Sequence, residues 1–111
     1  MREESPGKTA SLIMLSRLRE GADRAAYERW ANDVDRDAVL ALPSIAEWRL
    51  HRVRRALGNG AEAPCEYVEV AVVCDTDQLE RDLSSDAAAR LTAELLEFCE
   101  PPTFLLTEQV A

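Results

Sequence analysis

The valine-rich segment Cys65–Cys74 (CEYVEVAVVC) constrains the fold of this chain more than any other feature. β-Branched residues favour extended backbone, so the segment predicts a strand. Side chains alternate across a strand, and one face here is wholly apolar, with Val68, Val70 and Val72, while the other carries Glu69. A sheet that contains this strand needs cover on both faces, and in a small chain the simplest cover for the second face is another copy of the protein.

The remaining segments complete an element order of β-α-β-β-α-β. The predicted strands cover residues 11–18, 45–55, 65–74 and 103–110. One amphipathic helix starts at the cap Asp23 and stops at Pro43, and a second helical region starts at Asp75 or Thr76, with Ser84–Asp86 as a candidate break. This order predicts an α+β fold, a ferredoxin-like βαββαβ sandwich with both helices on one face, which pairs into a dimeric α/β barrel.

Length and charge narrow the class of protein. With 111 residues the chain forms one domain, predicted over residues 11–111 after a mobile tail at residues 1–10. Thirteen basic and 21 acidic residues give a net charge of −8, which argues against nucleic acid and anionic membranes as partners. No apolar run approaches the ~20 residues of a membrane span, and the N-terminus lacks a secretory signal. Three scattered cysteines and one histidine make no metal-binding set, so we expect a cytoplasmic protein with reduced cysteines and no metal.

Polar side chains meet in the predicted hairpin of the second and third strands. Its register predicts that His51, Arg49, Tyr67 and Glu69 share one sheet face, within cross-strand reach. A histidine beside a carboxylate can act as a general base, because the carboxylate orients the ring and stabilises its charged form. The alternative is a structural ion pair in a dimer interface.

Aromatic side chains suggest a binding pocket for a flat ligand. Tyr27 and Trp30 lie on the apolar stripe of the first helix, Trp48 lies on the second strand and Tyr67 on the third. They could hold aromatic rings between helix and sheet, or they could simply form the core. In a regular strand Trp48 and His51 point to opposite faces, so one pocket lined by both would need a bulge or the end of the strand.

Charged residues near these aromatics are further candidates. Arg49 or Arg52 could hold a substrate carboxylate through paired hydrogen bonds, although charges on an edge strand also serve to prevent aggregation. Asp33, Asp35 and Asp37 point in different directions on a helix and make no metal site. Asp35 lies nearest the apolar stripe, which makes it a candidate for proton transfer; the alternative is a solvated side chain.

Several segments in order resemble the REDY-like family of small proteins. They are Gly21-Ala22-Asp23, Tyr27, Trp30, Val34-Asp35, Leu42-Pro43-Ser44, the pattern of Trp48, Leu50 and Arg52, the run Tyr67-Val68-Glu69-Val70, and the ending Phe104 to Glu108. The resemblance covers about residues 12–109 and includes proteins of prodigiosin-type tripyrrole and bisindole alkaloid pathways. It implies a dimeric α/β barrel without a cofactor that acts on aromatic nitrogen heterocycles, in ring closure, dehydration or the shaping of unstable intermediates.

The resemblance also bears on individual positions. Tyr27, Trp30, Asp35, Tyr67 and Glu69 match positions typical of the family. His51 stands where the family is expected to have an aromatic residue such as tyrosine, and Ser16 where it is expected to have a larger one. These departures point to a different substrate, with His51 supplying the acid or base.

The leading hypothesis is a cofactor-independent enzyme of natural-product biosynthesis that acts on a bisindole or bipyrrole-type intermediate. In this hypothesis His51, supported by Glu69 or Asp35, moves protons during cyclisation or loss of water. One alternative is a cofactor-free monooxygenase, which would consume oxygen during turnover. Another is a protein that binds and protects a reactive intermediate without catalysis, for which the aromatic residues matter and His51 does not.

Overall fold

The computed structural model describes residues 9–111. Its strands are β1 (Ala10–Ser16), β2 (Ile45–Arg52), β3 (Tyr67–Val73) and β4 (Thr103–Glu108). Its helices are α1 (Arg24–Trp30), α2 (Arg36–Leu40), α3 (Thr76–Leu83) and α4 (Asp86–Phe98), and a π-helical turn, Ala31–Asp35, joins α1 to α2. The tail predicted at residues 1–10 falls mostly outside the described residues, and Ala10 already belongs to β1.

The sheet has the strand order of a ferredoxin-like fold. Its four strands run β2-β3-β1-β4, and each neighbouring pair is antiparallel. β1 and β3 are therefore central, while β2 and β4 form the edges. The predicted α+β class is confirmed.

Both helical segments pack against one face of the sheet, which we call the inner face. One cluster of buried side chains joins the sheet to α3 through Leu79, and a second joins it to α1 and α4 through Tyr27 and Leu95. The sheet residues in these clusters are Leu12, Met14, Ile45, Tyr67, Ala71 and Val73. Among residues 9–111, the layered core leaves the opposite, outer face of the sheet without cover.

Helix starts follow from local capping. Asp23 accepts a hydrogen bond from the amide of Ala26 at 3.1 Å, and Asp75 caps α3 in the same way. Ser85 caps α4 through the amide of Ala88, so the helical region breaks at the predicted serine pair. These oxygens satisfy N–H groups that have no partner in the first turn of a helix.

A bulge near the start of β2 sets which side chains of this strand face inward. Ile45 pairs with Val73 and Glu47 pairs with Val72, so one extra residue is accommodated between them. Ile45 and Trp48 consequently both face inward, although their odd spacing would separate them on a regular strand. From Trp48 onward the strand alternates regularly.

The outer face carries a continuous apolar surface. Its central side chains, which are half-buried in the single chain, are Ile13, Leu15, Val68, Val70 and Val72. Leu105 of the edge strand β4 extends it and is 45% exposed. Within residues 9–111, no helix has the length and apolar character to cross a membrane.

Candidate functional site

The register of β2 against β3 differs by one residue from the predicted one. Arg52 pairs with Tyr67 and His51 pairs with Val68. Because side chains alternate, a shift of one residue moves a whole set to the other face. The prediction that the hairpin gathers its four polar residues on one face is therefore wrong. Tyr67 and Glu69 face inward, whereas Arg49 and His51 lie on the outer face and are exposed.

Two carboxyl groups, Asp35 and Glu69, face an internal cavity between the helices and the inner face of the sheet. The cavity measures about 80 Å³, and most of its lining is apolar, including Met14, Trp30 and Phe104. Asp35 is 7% exposed and Glu69 is 6% exposed. Among the described residues that line the cavity, none is basic. The arrangement places two acids together in an apolar site without a counter-charge.

This environment favours the protonated form of both acids. Burial raises the pKa of Asp35 to about 7, and the negative charges of Glu69 and Glu94 add to the effect. Burial also raises the pKa of Glu69, while the nearby Trp48 indole acts in the opposite direction. The two carboxyls therefore differ, since only Glu69 has a donor beside it to favour its charged form.

The indole N–H of Trp48 is a hydrogen-bond donor that lies near one carboxyl of this pair, Glu69. Its Nε1 is buried and makes no hydrogen bond of normal geometry with residues 9–111, although it lies near Glu69. An unpaired buried donor is costly, and a hydrogen bond to a carboxylate would offset that cost. A small movement of the Glu69 side chain or a bound ligand would satisfy it.

The π-helical turn brings Asp35 to the cavity. The amide of Arg36 donates to the carbonyl of Ala31, five residues back, rather than four as in an α-helix. Ala31 and Asp35 are both buried as a result. π-Helical turns occur often at functional sites, where the additional residue redirects side chains. The sequence places Asp35 nearest the apolar stripe of the first helix, and its burial excludes the alternative of a solvated side chain.

The predicted aromatic pocket is divided between the core and two separate surfaces. Tyr27 is fully buried, with its ring centroid 4.9 Å from that of Tyr67 and 5.7 Å from that of Phe98. Burial raises the pKa of the Tyr27 phenol, as expected for a core side chain. Trp30 lines the cavity and donates from Nε1 to Glu94 at 2.7 Å. Of the four aromatic residues, therefore, Trp30 alone lines the cavity.

A second, larger concavity runs between β2 and the segment formed by α1 and the π turn. We call it the β2 groove; its volume is about 440 Å³, and Trp48, Leu50 and Tyr67 contribute to its lining. Tyr67 connects its floor to α1, because its hydroxyl donates to Glu28 at 2.6 Å and accepts from Arg24 at 2.9 Å. Trp48 lines the groove, and its indole nitrogen lies near Glu69, which lines the cavity.

The predicted arginines are already paired. Arg52 donates from Nε and Nη2 to both oxygens of Glu28, each at 2.8 Å. These bonds, with that from Tyr67, lower the pKa of Glu28 to about 2, so it stays ionised. Arg49 instead bonds Glu47 at 2.8 Å, and both side chains are exposed. Neither arginine therefore has an unpaired guanidinium group with which to bind a ligand carboxylate.

Sequence reasoning missed Arg36, which also lines the β2 groove. Its exposed side chain makes no hydrogen bond or ion pair with any of residues 9–111. The one available signal was its position directly after Asp35. Neighbouring residues on a helix point about 100° apart, so an inward Asp35 turns Arg36 toward another surface.

Fold and site together define a small ferredoxin-like α+β protein with an acid-lined cavity between helices and sheet. The family model described as REDY-like protein HapK matches residues 10–110, so the chain belongs to the REDY-like HapK family. The crystal structure of HapK from Hahella chejuensis is similar, with 29% identity, a TM-score of 0.71, and coverage of 91% of this chain and 92% of that one. The resemblance drawn from the sequence is thus confirmed.

More distant structures share the fold. SnoaB, a cofactor-independent oxygenase from Streptomyces nogalater, is 16% identical with a TM-score of 0.66, covering 93% of this chain and 92% of its own. A dimeric ferredoxin-like protein of unknown function from Thermobifida fusca is 12% identical with a TM-score of 0.68, covering 96% and 95%. Comparison with curated protein sequences finds no significant match.

Proposed function

We propose that this protein is a cofactor-independent enzyme that transfers protons on an aromatic nitrogen heterocycle of bisindole or bipyrrole type, with Asp35 as general acid and Glu69 as general base. One observation carries the proposal: two buried carboxyls face one apolar cavity that no basic side chain enters among the described residues. Carboxyl groups with different environments can divide the acid and base roles. Membership of the REDY-like family supports the class of substrate.

The division of roles follows from the two surroundings. The Asp35 carboxyl accepts no hydrogen bond from residues 9–111, and its raised pKa of about 7 keeps a large fraction protonated at neutral pH. Glu69 has the Trp48 indole beside it, which favours the carboxylate. In a dehydration, Asp35 gives its proton to the departing hydroxyl while Glu69 takes a proton from the adjacent carbon. A proton exchange through water then restores the starting state.

His51 takes no part in this proposal. The imidazole belongs to an exposed residue that pairs with Val68 on the outer face, whereas Asp35 and Glu69 face inward. A general base must reach the proton that it removes, directly or through one water. The role assigned to His51 on sequence grounds therefore passes to the carboxyl pair.

The volume of the cavity limits how much of the substrate can reach the two carboxyl groups. This volume of about 80 Å³ is the share of liquid that two or three waters occupy, at roughly 30 Å³ each. That space admits no more than one five-membered ring. Leu83, Thr92 and Phe104 are exposed members of the lining, so they mark the opening through which the rest of a two-ring molecule extends.

Solvent exchange on a model heterocycle tests the proposal. The carbon-bound hydrogens of 2,2′-bipyrrole exchange in D₂O by protonation of a ring carbon and removal of the original hydrogen, which needs an acid and a base. The wild-type protein is expected to accelerate this exchange at neutral pH, as followed by ¹H NMR. Asp35→Asn and Glu69→Gln should each lower the accelerated rate by about 10²–10⁴-fold.

Asp33→Asn provides the control, because Asp33 is exposed on the same π turn. It should exchange at the wild-type rate. A wild-type protein that gives no acceleration, or carboxyl variants that match it, would rule out the proposed chemistry. Consumption of oxygen during turnover would favour the monooxygenase alternative, and binding without exchange would favour protection of an intermediate.

A further inference from the structure

The β2 groove has the size and composition of a small-molecule site. Its volume of about 440 Å³ falls within the range of roughly 300–1,000 Å³ that is usual for ligand pockets. Trp48 and Leu50 provide an apolar wall, and Tyr67 is held in place by Glu28 and Arg24. Polar groups around an apolar wall are what orients a flat ligand in such sites.

The charge of the groove is opposite to that of the chain. Arg36, Arg49 and Arg52 contribute three positive charges and Glu28 one negative charge, whereas the whole chain carries a net charge of −8. Arg49 is paired with Glu47, which lies beside the groove on β2. The bidentate pair of Arg52 and Glu28 neutralises itself. Within residues 9–111, the charge of Arg36 is left without a partner and can attract a ligand.

We propose that the β2 groove binds an aromatic heterocycle that carries a single carboxylate, with Arg36 pairing with the carboxylate and Trp48 supporting the ring. A guanidinium group matches a carboxylate geometrically, since two parallel N–H groups meet two oxygens. One unpaired cation suits a monoanion; a dianion such as a phosphate monoester would be repelled by Glu28. This site goes beyond the proposed acid–base function, because binding here does not depend on Asp35 or Glu69.

The π turn explains why the arginine is available at this position. It inserts the extra residue just before Arg36, whose amide bonds the carbonyl of Ala31. Ala31 is buried with a side chain of one carbon, so it leaves space in the groove beside Trp48. Asp35 then faces the cavity and Arg36 the groove, from adjacent positions.

Titration of the Trp48 indole N–H signal by ¹H–¹⁵N NMR tests the site. Trp30 and Trp48 are the two tryptophans of the chain, so Trp30→Phe assigns the Trp48 signal. The probe is pyrrole-2-carboxylate, and pyrrole-2-carboxamide is its uncharged counterpart. We expect the carboxylate to shift the Trp48 signal in a saturable way and the carboxamide to bind about tenfold more weakly, because the charge-assisted hydrogen bonds are lost.

Arg36→Met should weaken binding of pyrrole-2-carboxylate by about tenfold, and Arg90→Met should leave it unchanged. Arg90 is the matched control because it is an exposed arginine on α4, away from the groove. Both exposed sites allow the variants to fold, which the dispersion of the same spectra verifies. An unmoved Trp48 signal, equal affinity for the carboxamide, or wild-type affinity in Arg36→Met would overturn the proposal.

Asp35→Asn separates this inference from the proposed function. The variant should lose proton exchange on bipyrrole yet bind pyrrole-2-carboxylate as the wild type does. Loss of pyrrole-2-carboxylate binding in Asp35→Asn would place the ligand in the cavity and overturn the groove assignment. Failure of the exchange experiment alone would leave the groove result intact.

Discussion

At the scale of single residues, the proton affinity of Asp35 is the property that most directly links structure to chemistry. A carboxyl group in water releases its proton near pH 4. Burial in an apolar cavity and the neighbouring negative charge of Glu69 raise the pKa of Asp35 to about 7. A group that titrates close to the working pH is well matched to proton transfer in either direction.

The raised pKa of Asp35 also makes stability depend on pH. Native Asp35 keeps its proton up to about pH 7, whereas the unfolded chain releases it near pH 4, so between these values the native state binds more protons. The free energy of unfolding therefore falls as pH rises through this window. Urea unfolding at pH 5 and pH 8 should show this loss in the wild type, with a slope on the order of 1.4 kcal/mol per pH unit inside the window.

Asp35→Asn should flatten this dependence, while Asp33→Asn, at an exposed position of the same turn, should keep the wild-type slope. Glu69 contributes in the same direction, because burial raises its pKa as well, so a smaller slope remains in Asp35→Asn. An unchanged slope in this variant would show that Asp35 titrates normally in the native state.

The site residues that could be predicted are those whose position depends on the local sequence pattern. Asp35 and Glu69 were identifiable because each places a carboxyl beside apolar positions of a predicted helix or strand. The face occupied by His51 was not, because it depends on how two strands pair across a loop. Arg36 gave only the weak signal of its position after Asp35, since an exposed arginine on a helix is ordinary until the groove beside it is known.

At the scale of elements, the predicted types and order agree with the structure, and the differences come from single residues. Caps at Asp23, Asp75 and Ser85 are local features, so the helix starts were predictable. The bulge next to Ile45 and the π turn each accommodate one additional residue, and neither has a distinctive composition in this chain. Such insertions are stabilised by tertiary packing. The periodic pattern of apolar residues in the sequence carries no information about that packing.

The groove and the cavity both depend on these insertions. The bulge turns Ile45 and Trp48 to the same inner face. The π turn directs the side chain of Asp35 to the cavity and that of Arg36 to the groove. Regular elements of the same sequence would place these side chains differently. The functional geometry therefore lies in the irregularities of elements whose regular parts form the core.

At the scale of the whole molecule, the apolar outer face of the sheet is a candidate interface for a second protein chain. An apolar surface of this kind on a single chain commonly marks an interface. We propose a homodimer in which two outer faces meet, as the predicted α/β barrel requires.

Sedimentation equilibrium tests this assembly. The wild type should have about twice the chain mass of 12.4 kDa, and Ile13→Glu should have the mass of one chain. Ile13 lies on the outer face between Val70 and Leu105, so a carboxylate there would be buried among apolar neighbours in the dimer. Val110→Glu, at a position 88% exposed, is the control and should remain dimeric. A monomeric wild type would contradict the assembly.

The central claim is that Asp35 holds a proton inside the cavity at neutral pH. The most direct measurement is a ¹³C NMR titration of the aspartate side-chain carboxyl carbons in the wild type and in Asp35→Asn. The account predicts one aspartate resonance with a midpoint near pH 7 that is absent from the variant. If every aspartate resonance of the wild type instead titrates below about pH 5, as solvated carboxyls do, the cavity holds no such acid and the account is wrong.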